Sequence, residues 1–242
     1  MTRRIHVALL PSQIDPPMGV AIVVDVVRAS TSLVTLVERG CVPILLATTV
    51  DIARRAAARD RTLLLIGEEG GLRPEGFDYG NSPAELAQAP LAGRGAVVVT
   101  TNGVPAIHEA AGAEVVLVGC LRNAASVAAA AWDAGGAEGR ITIICAARPS
   151  GFGLDDAYCA GVLVERLMRL GEVELSDAAE AARMLALAEP DPRRLLGRSA
   201  AGRYVTRIGL AADVDYAAGV DTSTAVPRLG HHFSLVPQPV EE

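Results

Sequence analysis

In four short segments of the sequence, polar side chains directly follow a run of aliphatic residues. These side chains are carboxylates, hydroxyls, amides and arginines. The first is AIVVDVVRASTS, in which Asp25 and Arg28 follow a strand-like run and Ser30 and Thr31 begin a helical pattern. An acid at the end of an aliphatic strand must be paired or bind a cation, because burying an isolated charge is costly. A salt bridge with Arg28 is the simplest explanation for Asp25, and a helix cap is the simplest for Ser30 and Thr31.

The other three segments also follow aliphatic runs. The second is GEEGG with Glu68, together with the loop GFDYGNSP that follows it and contains Asn81 and Ser82. The third is TTNG with Thr101, Asn102 and Gly103, and the fourth runs from Arg148 through GFGLDDAYCAG with Asp155 and Asp156. Taken singly, solvated loop charges, a turn and a helix cap account for them. Because ligands of open α/β sheets bind beyond the carboxyl ends of the strands, the four segments are predicted to share one edge.

The residue types favour one kind of chemistry when they are taken together. Hydroxyls, an arginine and backbone N–H groups at helix starts bind anions. Separate carboxylates are hard oxygen ligands suited to Mg²⁺, and here they are Asp25, Glu68 and either Asp155 or Asp156. The combination predicts a phosphate site with a divalent ion, where phosphoryl transfer or phosphate-ester hydrolysis takes place.

Several common phosphate and hydrolase motifs are absent from the sequence. The chain has no lysine among its 22 basic residues, which excludes a Walker A lysine, a kinase strand lysine and a Schiff base. GxGxxG and GxSxG are missing. Asp25 is followed by Val26 and Val27, so the second aspartate of a haloacid dehalogenase motif is missing too. None of the four histidines stands where a catalytic base is expected.

The aliphatic runs alternate with helical patterns, which predicts a three-layer α/β/α fold with a largely parallel or mixed sheet. The predicted strands cover 5–10, 20–27, 42–47, 62–67, 96–101, 114–119 and 140–146. The predicted helices cover 31–39, 50–59, 83–89, 104–111, 122–134 and 156–170. In SPAE, Ser82 is an N-cap followed by proline. Residues 1–242 are expected to form one domain, in which 171–242 is helical or irregular and packs on the main sheet.

Charge and cysteine content limit the partners. The net charge is −6 and no basic tract is present, so nucleic acid is not expected as a partner. No apolar stretch is long enough for a membrane span. The four cysteines lack CxxC spacing, which indicates buried, reduced thiols in a cytoplasmic protein. The apolar, aromatic-poor composition is compatible with a homodimer.

The order and spacing of five blocks resemble one known family. DVVRASTS (25–32), GEEGG (67–71), GFDYGNSP (76–83), TTNG (100–103) and GFGLDDAYCAG (151–161) are similar to blocks of the 2-phosphosulfolactate phosphatase family. The C-terminal DVDYAAGVDTSTAVP also looks like the end of that family. The resemblance covers nearly the whole chain. It implies the ComB-like phosphatase fold, Mg²⁺ as cofactor and a small phosphorylated anionic substrate.

The activity implied by the resemblance is the hydrolysis of 2-phosphosulfolactate to 3-sulfolactate and phosphate, as in coenzyme M biosynthesis. The matching positions are Asp25, Arg28, Ser30, Thr31, Glu68, Asp78, Asn81, Ser82, Thr101, Asn102, Gly103 and Asp156. The family usually has arginine, threonine and glutamate where this chain has Glu69, Val104 and Asp155. A phosphatase for another small phosphorylated hydroxy acid and a non-catalytic anion-binding homologue are the alternatives.

These positions receive the following roles. Asp25, Glu68 and Asp156 are predicted to hold Mg²⁺, partly through water. Phosphate oxygens are predicted to contact Arg28, Ser30, Thr31, Asn81, Ser82, Thr101, Asn102 and Gly103, and Arg148 is predicted to bind the sulfonate or carboxylate end. Water is the expected nucleophile, with direct attack by Asp25 as the alternative.

Overall fold

The strands are described by a computed structural model that covers residues 2–14, 19–135, 139–148 and 151–236. They are β1 (Arg3–Ala8), β2 (Val20–Val24), β3 (Ile44–Ala47), β4 (Leu64–Gly67), β5 (Ala96–Val99), β6 (Val115–Gly119), β7 (Arg140–Cys145), β8 (Val173–Leu175) and β9 (Phe233–Leu235). The first seven match the predicted strands to within a few residues. The short strands β8 and β9 were not predicted, because three residues are too few to show a period.

The α-helices alternate with the strands from β2 to β8, and four helices then follow one another before β9. They are α1 (Ala29–Glu38), α2 (Val50–Arg59), α3 (Pro83–Leu86), α4 (Gly103–Glu109), α5 (Ala124–Ala134), α6 (Leu154–Met168), α7 (Asp177–Ala188), α8 (Pro192–Arg198), α9 (Ala200–Arg207) and α10 (Ala211–Ala217). Ser82 caps α3 as predicted, since its hydroxyl accepts a hydrogen bond from the backbone N–H of Glu85 and Pro83 follows it.

The described strands form two sheets, and neighbouring strands are parallel in both. The first sheet has the order β6-β2-β7-β1-β8 and the second has the order β4-β5-β3-β9. The α/β class and the parallel strands are confirmed. The division into two sheets was not predicted, because a buried aliphatic run shows that both strand faces are covered without showing which strand lies beside it.

Helices α1 and α4 lie between the two sheets. Leu33 of α1 and Ile107 of α4 belong to one buried cluster with Val23 of the first sheet and Leu46 of the second. Helices α5, α6 and α7 cover the other face of the first sheet, and α2 covers the other face of the second. Aliphatic side chains thus fill the layer between the two sheets.

The C-terminal part of the chain contacts both sheets. Strand β9 extends the second sheet beside β3, and the Val118 N–H of β6 donates to the carbonyl of Pro227. Helices α9 and α10 contact each other, and α10 contacts α3.

All four cysteines are buried and unpaired. No helix in the described ranges has the length and apolar character needed to cross a bilayer.

A prediction about stability follows from the contact between α6 and α7. A methyl group on Gly161 of α6 would lie 2.0 Å from the Ala182 carbonyl oxygen of α7. Gly161→Ala is therefore expected to lower the free energy of unfolding by about 1–3 kcal/mol, because overpacking outweighs the gain in helix propensity. Denaturant unfolding with Gly197→Ala as the control measures this.

Gly197 lies in α8 and has no neighbouring atom within 4 Å of an added methyl group. Gly197→Ala is expected to leave stability unchanged or to raise it by up to about 1 kcal/mol. Equal effects of the two substitutions would show that the α6–α7 packing tolerates a side chain at Gly161.

Candidate active site

A cavity of about 240 Å³ lies where strand ends of the two sheets meet. Strands β2 and β7 are neighbours in the first sheet, and β4 and β5 are neighbours in the second. The predicted residues that line the cavity are Asp25, Arg28, Glu68, Asn81, Thr101, Asn102, Arg148 and Asp156. All four predicted segments therefore contribute to one site, and two different sheets supply them.

Asp25 lies just beyond β2 and is only 9% exposed. Its Oδ1 accepts a hydrogen bond from the Ala29 N–H at 3.3 Å, so the start of α1 orients the carboxylate. A methyl group on Gly103 would lie 2.8 Å from Asp25 Oδ2 and 2.4 Å from Ala29 Cβ. Gly103 thus lets the start of α4 approach Asp25, and it does not line the cavity itself.

The hydroxyls of Ser30 and Thr31 bond to the backbone around Asp25. Ser30 Oγ donates to the Asp25 carbonyl at 2.7 Å and accepts from the Asp25 N–H at 3.1 Å. Thr31 Oγ1 donates to the Val26 carbonyl at 2.7 Å. Both side chains are buried and lie outside the residues that line the cavity. In this structure they hold the turn that carries Asp25.

Arg28 is 5% exposed and pairs with a carboxylate other than Asp25. Its Nη1 donates to Asp213 Oδ2 of α10 at 3.2 Å, and its Nη2 donates to the Gly71 carbonyl at 2.6 Å. The simple Asp25–Arg28 salt bridge is thus replaced by a pair that joins the turn after β2 to the C-terminal helices. Asp213 was missed from the sequence, where it lies in a segment interpreted as irregular, although it begins the C-terminal block DVDYAAGVDTSTAVP.

Glu68 joins the loops that follow β4 and β5. Its Oε1 accepts from the Thr101 N–H at 2.6 Å, and its Oε2 accepts from the Gly71 N–H at 2.6 Å and from Thr101 Oγ1 at 3.0 Å. Both carboxylate oxygens are therefore engaged by N–H groups of the cavity wall. Glu69, where the family resemblance implies an arginine, is exposed and does not line the cavity.

Ser82 and Asp78 support the second sheet. Ser82 Oγ donates to Asp213 Oδ1 at 2.5 Å, and Ser82 does not line the cavity. Asp78 Oδ2 accepts from the Leu65 N–H of β4 at 2.8 Å. These side chains thus hold the loop between β4 and α3 against β4 and α10.

Three buried aspartates lie close together at the cavity, and their negative charges repel one another. Burial, followed by the nearby Asp155 charge, raises the pKa of Asp25 to about 7. Burial raises the pKa of Asp155 to about 6. Burial and the charges of Asp155 and Asp25 raise the pKa of Asp156 well above its ordinary value. Such a group of acids favours either protonation or a bound cation, because it holds like charges out of water.

The donor chemistry of this group suits Mg²⁺ as a partly hydrated ion. Mg²⁺ usually keeps several waters and binds one or two carboxylates together with substrate phosphate. Asp25 and Asp156 line the cavity, and Asp156 Oδ1 accepts a hydrogen bond from the Val26 N–H at 2.8 Å. Within the described ranges no three His, Cys, Asp or Glu side chains are grouped to hold an ion directly. The residues therefore fit a site completed by water or substrate.

Two buried polar atoms at the cavity have no hydrogen-bond partner in the part of the chain that the structure describes. They are Asn81 Oδ1 and Arg148 Nη1. Asn81 is 4% exposed, so its amide is desolvated without compensation in the free protein. An uncompensated group at a cavity wall is typical of a contact that a ligand completes.

Helix α9 supplies a wall of the cavity that was not predicted from the sequence. Ala201, Tyr204 and Val205 line the cavity, and Tyr204 Oη donates to the Gly70 carbonyl at 2.7 Å. A methyl group on Gly71 would lie 2.7 Å from the Tyr204 ring, so glycine permits this contact. The amphipathic pattern of this segment predicts a helix but contains no signal for the surface against which it packs.

Known proteins resemble this chain over most of its length. A model of the 2-phosphosulpholactate phosphatase family matches residues 6–232. Proteins named probable 2-phosphosulfolactate phosphatase from Deinococcus radiodurans and Thermus thermophilus are 42% and 41% identical over 227 residues, which is 93% of this chain and 93% and 94% of theirs. A relative of the same name from Gloeobacter violaceus is 33% identical over 86% of this chain and 87% of its own. The chain belongs to the 2-phosphosulpholactate phosphatase family.

Proposed function

We propose that the protein is a Mg²⁺-dependent phosphomonoesterase that converts 2-phosphosulfolactate and water into 3-sulfolactate and phosphate. The observation that carries the proposal is the meeting of buried Arg28 with the Asp25, Asp155 and Asp156 carboxyls in one cavity. An arginine binds phosphate oxygens, and the acids suit a divalent ion. The names of the relatives supply the substrate.

The charges of the cavity can be divided between the two ends of such a substrate. Arg28 is placed to bind the phosphate and to stabilise the negative charge that develops on its oxygens. Arg148 Nη1 is a free donor for the carboxylate or sulfonate end, whereas the free Asn81 Oδ1 is an acceptor that suits a water molecule or a hydroxyl group. Bound Mg²⁺ would offset the remaining substrate charge, with Asp25 and Asp156 as its protein ligands.

The reaction breaks the ester P–O bond, with water as the nucleophile and the leaving alkoxide taking up a proton. Burial raises the pKa of Asp155 to about 6, which is near the operating range of proton-transfer groups. The turn around Asp25 is fixed by Ser30 and Thr31, which limits the positions that the carboxylate can adopt. Attack by Asp25 itself is the alternative to attack by water.

Phosphate release from 2-phosphosulfolactate tests this proposal. The protein is treated with EDTA, and activity is measured without metal, with added Mg²⁺, and on matched phosphomonoesters that carry carboxylate but no sulfonate. We expect Mg²⁺ to restore turnover, with 2-phosphosulfolactate as the best substrate. Equal rates on the other esters would favour a broader phosphatase, and substrate binding without phosphate release would favour a non-catalytic homologue.

The proposal leaves two sequence-based predictions as they stand. A cytoplasmic location rests on the cysteine pattern, and a homodimer rests on the apolar composition.

The substrate described above is a small anion, and the cavity volume of about 240 Å³ suits a small molecule.

A further inference from the structure

Asp213 is a buried acid of α10 that contacts two segments around the cavity, the turn after β2 and the start of α3. Its carboxylate side chain is 1% exposed. Oδ2 accepts from Arg28 Nη1 at 3.2 Å, and Oδ1 accepts from Ser82 Oγ at 2.5 Å and from the Ala84 N–H at 3.2 Å. Both oxygens therefore have charged or polar partners, although Asp213 does not line the cavity.

The stability of the fold does not by itself explain the buried ion pair between Arg28 and Asp213. Desolvation of both ions offsets most of their attraction, and packed apolar side chains are often at least as stabilising. The pair does, however, restrict the direction of the guanidinium group. The arginine side chain is long and has several rotatable bonds, so its guanidinium group has no fixed orientation without fixed partners.

The two anchors of Arg28 act on different nitrogens. Nη1 donates to Asp213, and Nη2 donates to the Gly71 carbonyl at 2.6 Å. A guanidinium group has five N–H donors, so three remain for an anion. Because two separated points fix a planar group, the remaining donors are held in one orientation at the cavity wall.

We propose that Asp213 is a positioning residue that sets the orientation of Arg28 for phosphate. The inference rests on the proposed function, because it assigns the phosphate contact to Arg28. Asp213 acts through Arg28 and does not touch the substrate. The C-terminal helix α10 thereby becomes part of the catalytic apparatus of a site built mainly from strand ends.

The test is a double-mutant cycle with Asp213→Asn and Arg28→Ala, read by kcat, KM and the Kd for inorganic phosphate. An amide cannot accept hydrogen bonds at both of its ends, so Asp213→Asn releases Arg28 or the Ser82 side. We expect kcat/KM to fall on the order of 100-fold, as for a misplaced catalytic group, and phosphate binding to weaken. In the Arg28→Ala background, Asp213→Asn is expected to change both quantities less than about threefold.

Asp215→Asn is the matched control. Asp215 lies in the same helix and pairs with Arg193 at 2.6 Å, and both side chains are more than half exposed. Its loss is expected to leave kcat and KM unchanged. An Asp213→Asn enzyme with near-wild-type kcat/KM, or a loss that is equally large with and without Arg28, overturns the inference and assigns Asp213 a purely structural role.

Ser82→Ala provides a second variant if Asp213→Asn does not fold. It removes the hydroxyl that holds Asp213 Oδ1 and leaves the carboxylate in place. A several-fold loss that disappears in the Arg28→Ala background supports the inference, and an equal loss in both backgrounds overturns it. A wild-type protein that neither releases nor binds phosphate overturns the proposed function, and this inference with it. An active wild type with an additive cycle overturns only the role of Asp213.

Discussion

Asp25→Asn is expected to abolish phosphate release while the protein remains folded. The Asn Oδ1 can still accept the Ala29 N–H, so the turn after β2 has no reason to change. The substitution removes the negative charge that would hold Mg²⁺, and it also removes the group that would attack phosphorus in the alternative mechanism. A fall in kcat on the order of 10³-fold or more follows, as is usual for a residue at the reacting centre.

The same substitution is expected to change how stability depends on pH. The folded metal-free protein holds Asp25 with a pKa of about 7, above the ordinary value of 3.8. The stability contributed by this proton is present below the ordinary pKa and is lost as pH rises through the folded pKa. As pH rises from about 4 to about 7, the melting temperature of the metal-free wild type is therefore expected to fall, and that of Asp25→Asn is expected to fall less.

Phosphate-release assays and thermal unfolding with EDTA or Mg²⁺ check both expectations. Added Mg²⁺ is expected to stabilise the wild type at pH 8 and to stabilise Asp25→Asn less. Asp51→Asn is the control, because the Asp51 side chain is 77% exposed at the surface of α2. Near-wild-type turnover by Asp25→Asn would remove Asp25 from the chemistry.

Arg28→Lys is expected to have the second-largest effect, although the charge is retained. A lysine ammonium cannot reproduce the planar fork that contacts Asp213 and the Gly71 carbonyl. Loss of an oriented donor to the phosphate is expected to lower kcat/KM about 10²–10³-fold. Stability is expected to fall by about 3–5 kcal/mol if Asp213 is left without its partner, because the carboxylate stays buried.

Steady-state kinetics and denaturant unfolding separate these two effects of Arg28→Lys. Arg193→Lys is the control, because the Arg193 side chain is 70% exposed in its pair with Asp215. An Arg28→Lys enzyme with unchanged kcat/KM would show that a positive charge is sufficient at this position and that the fork geometry is not required.

Local features of this protein are readable from its sequence. Strand β2 is five consecutive buried aliphatic residues, and the cap of α3 is Ser82 followed by proline. Both depend on neighbours within a few residues, so period and side-chain type are enough to predict them. The same holds for the polar segments after β2, β4, β5 and β7, since the end of an aliphatic run shows where a strand stops.

The functions of particular polar residues within those segments depend on partners far along the chain. Ser30 and Thr31 have the side chains of phosphate ligands, and their hydroxyls bond to the backbone of Asp25 and Val26. A hydroxyl binds equally well to a carbonyl or to a phosphate oxygen, so residue type alone does not distinguish the two. In the structure these hydroxyls are buried in α1 between the two sheets, so their partners are backbone carbonyls.

The sequence by itself determined the α/β class, the positions of the first seven strands and of the helices between them, and the polar segments that line the cavity. Only the tertiary structure decided that two sheets share these strands and that Arg28 pairs with Asp213, 185 positions away. The physical reason is that periodicity reports which faces of an element are buried, whereas the identity of the covering element depends on packing across the whole chain.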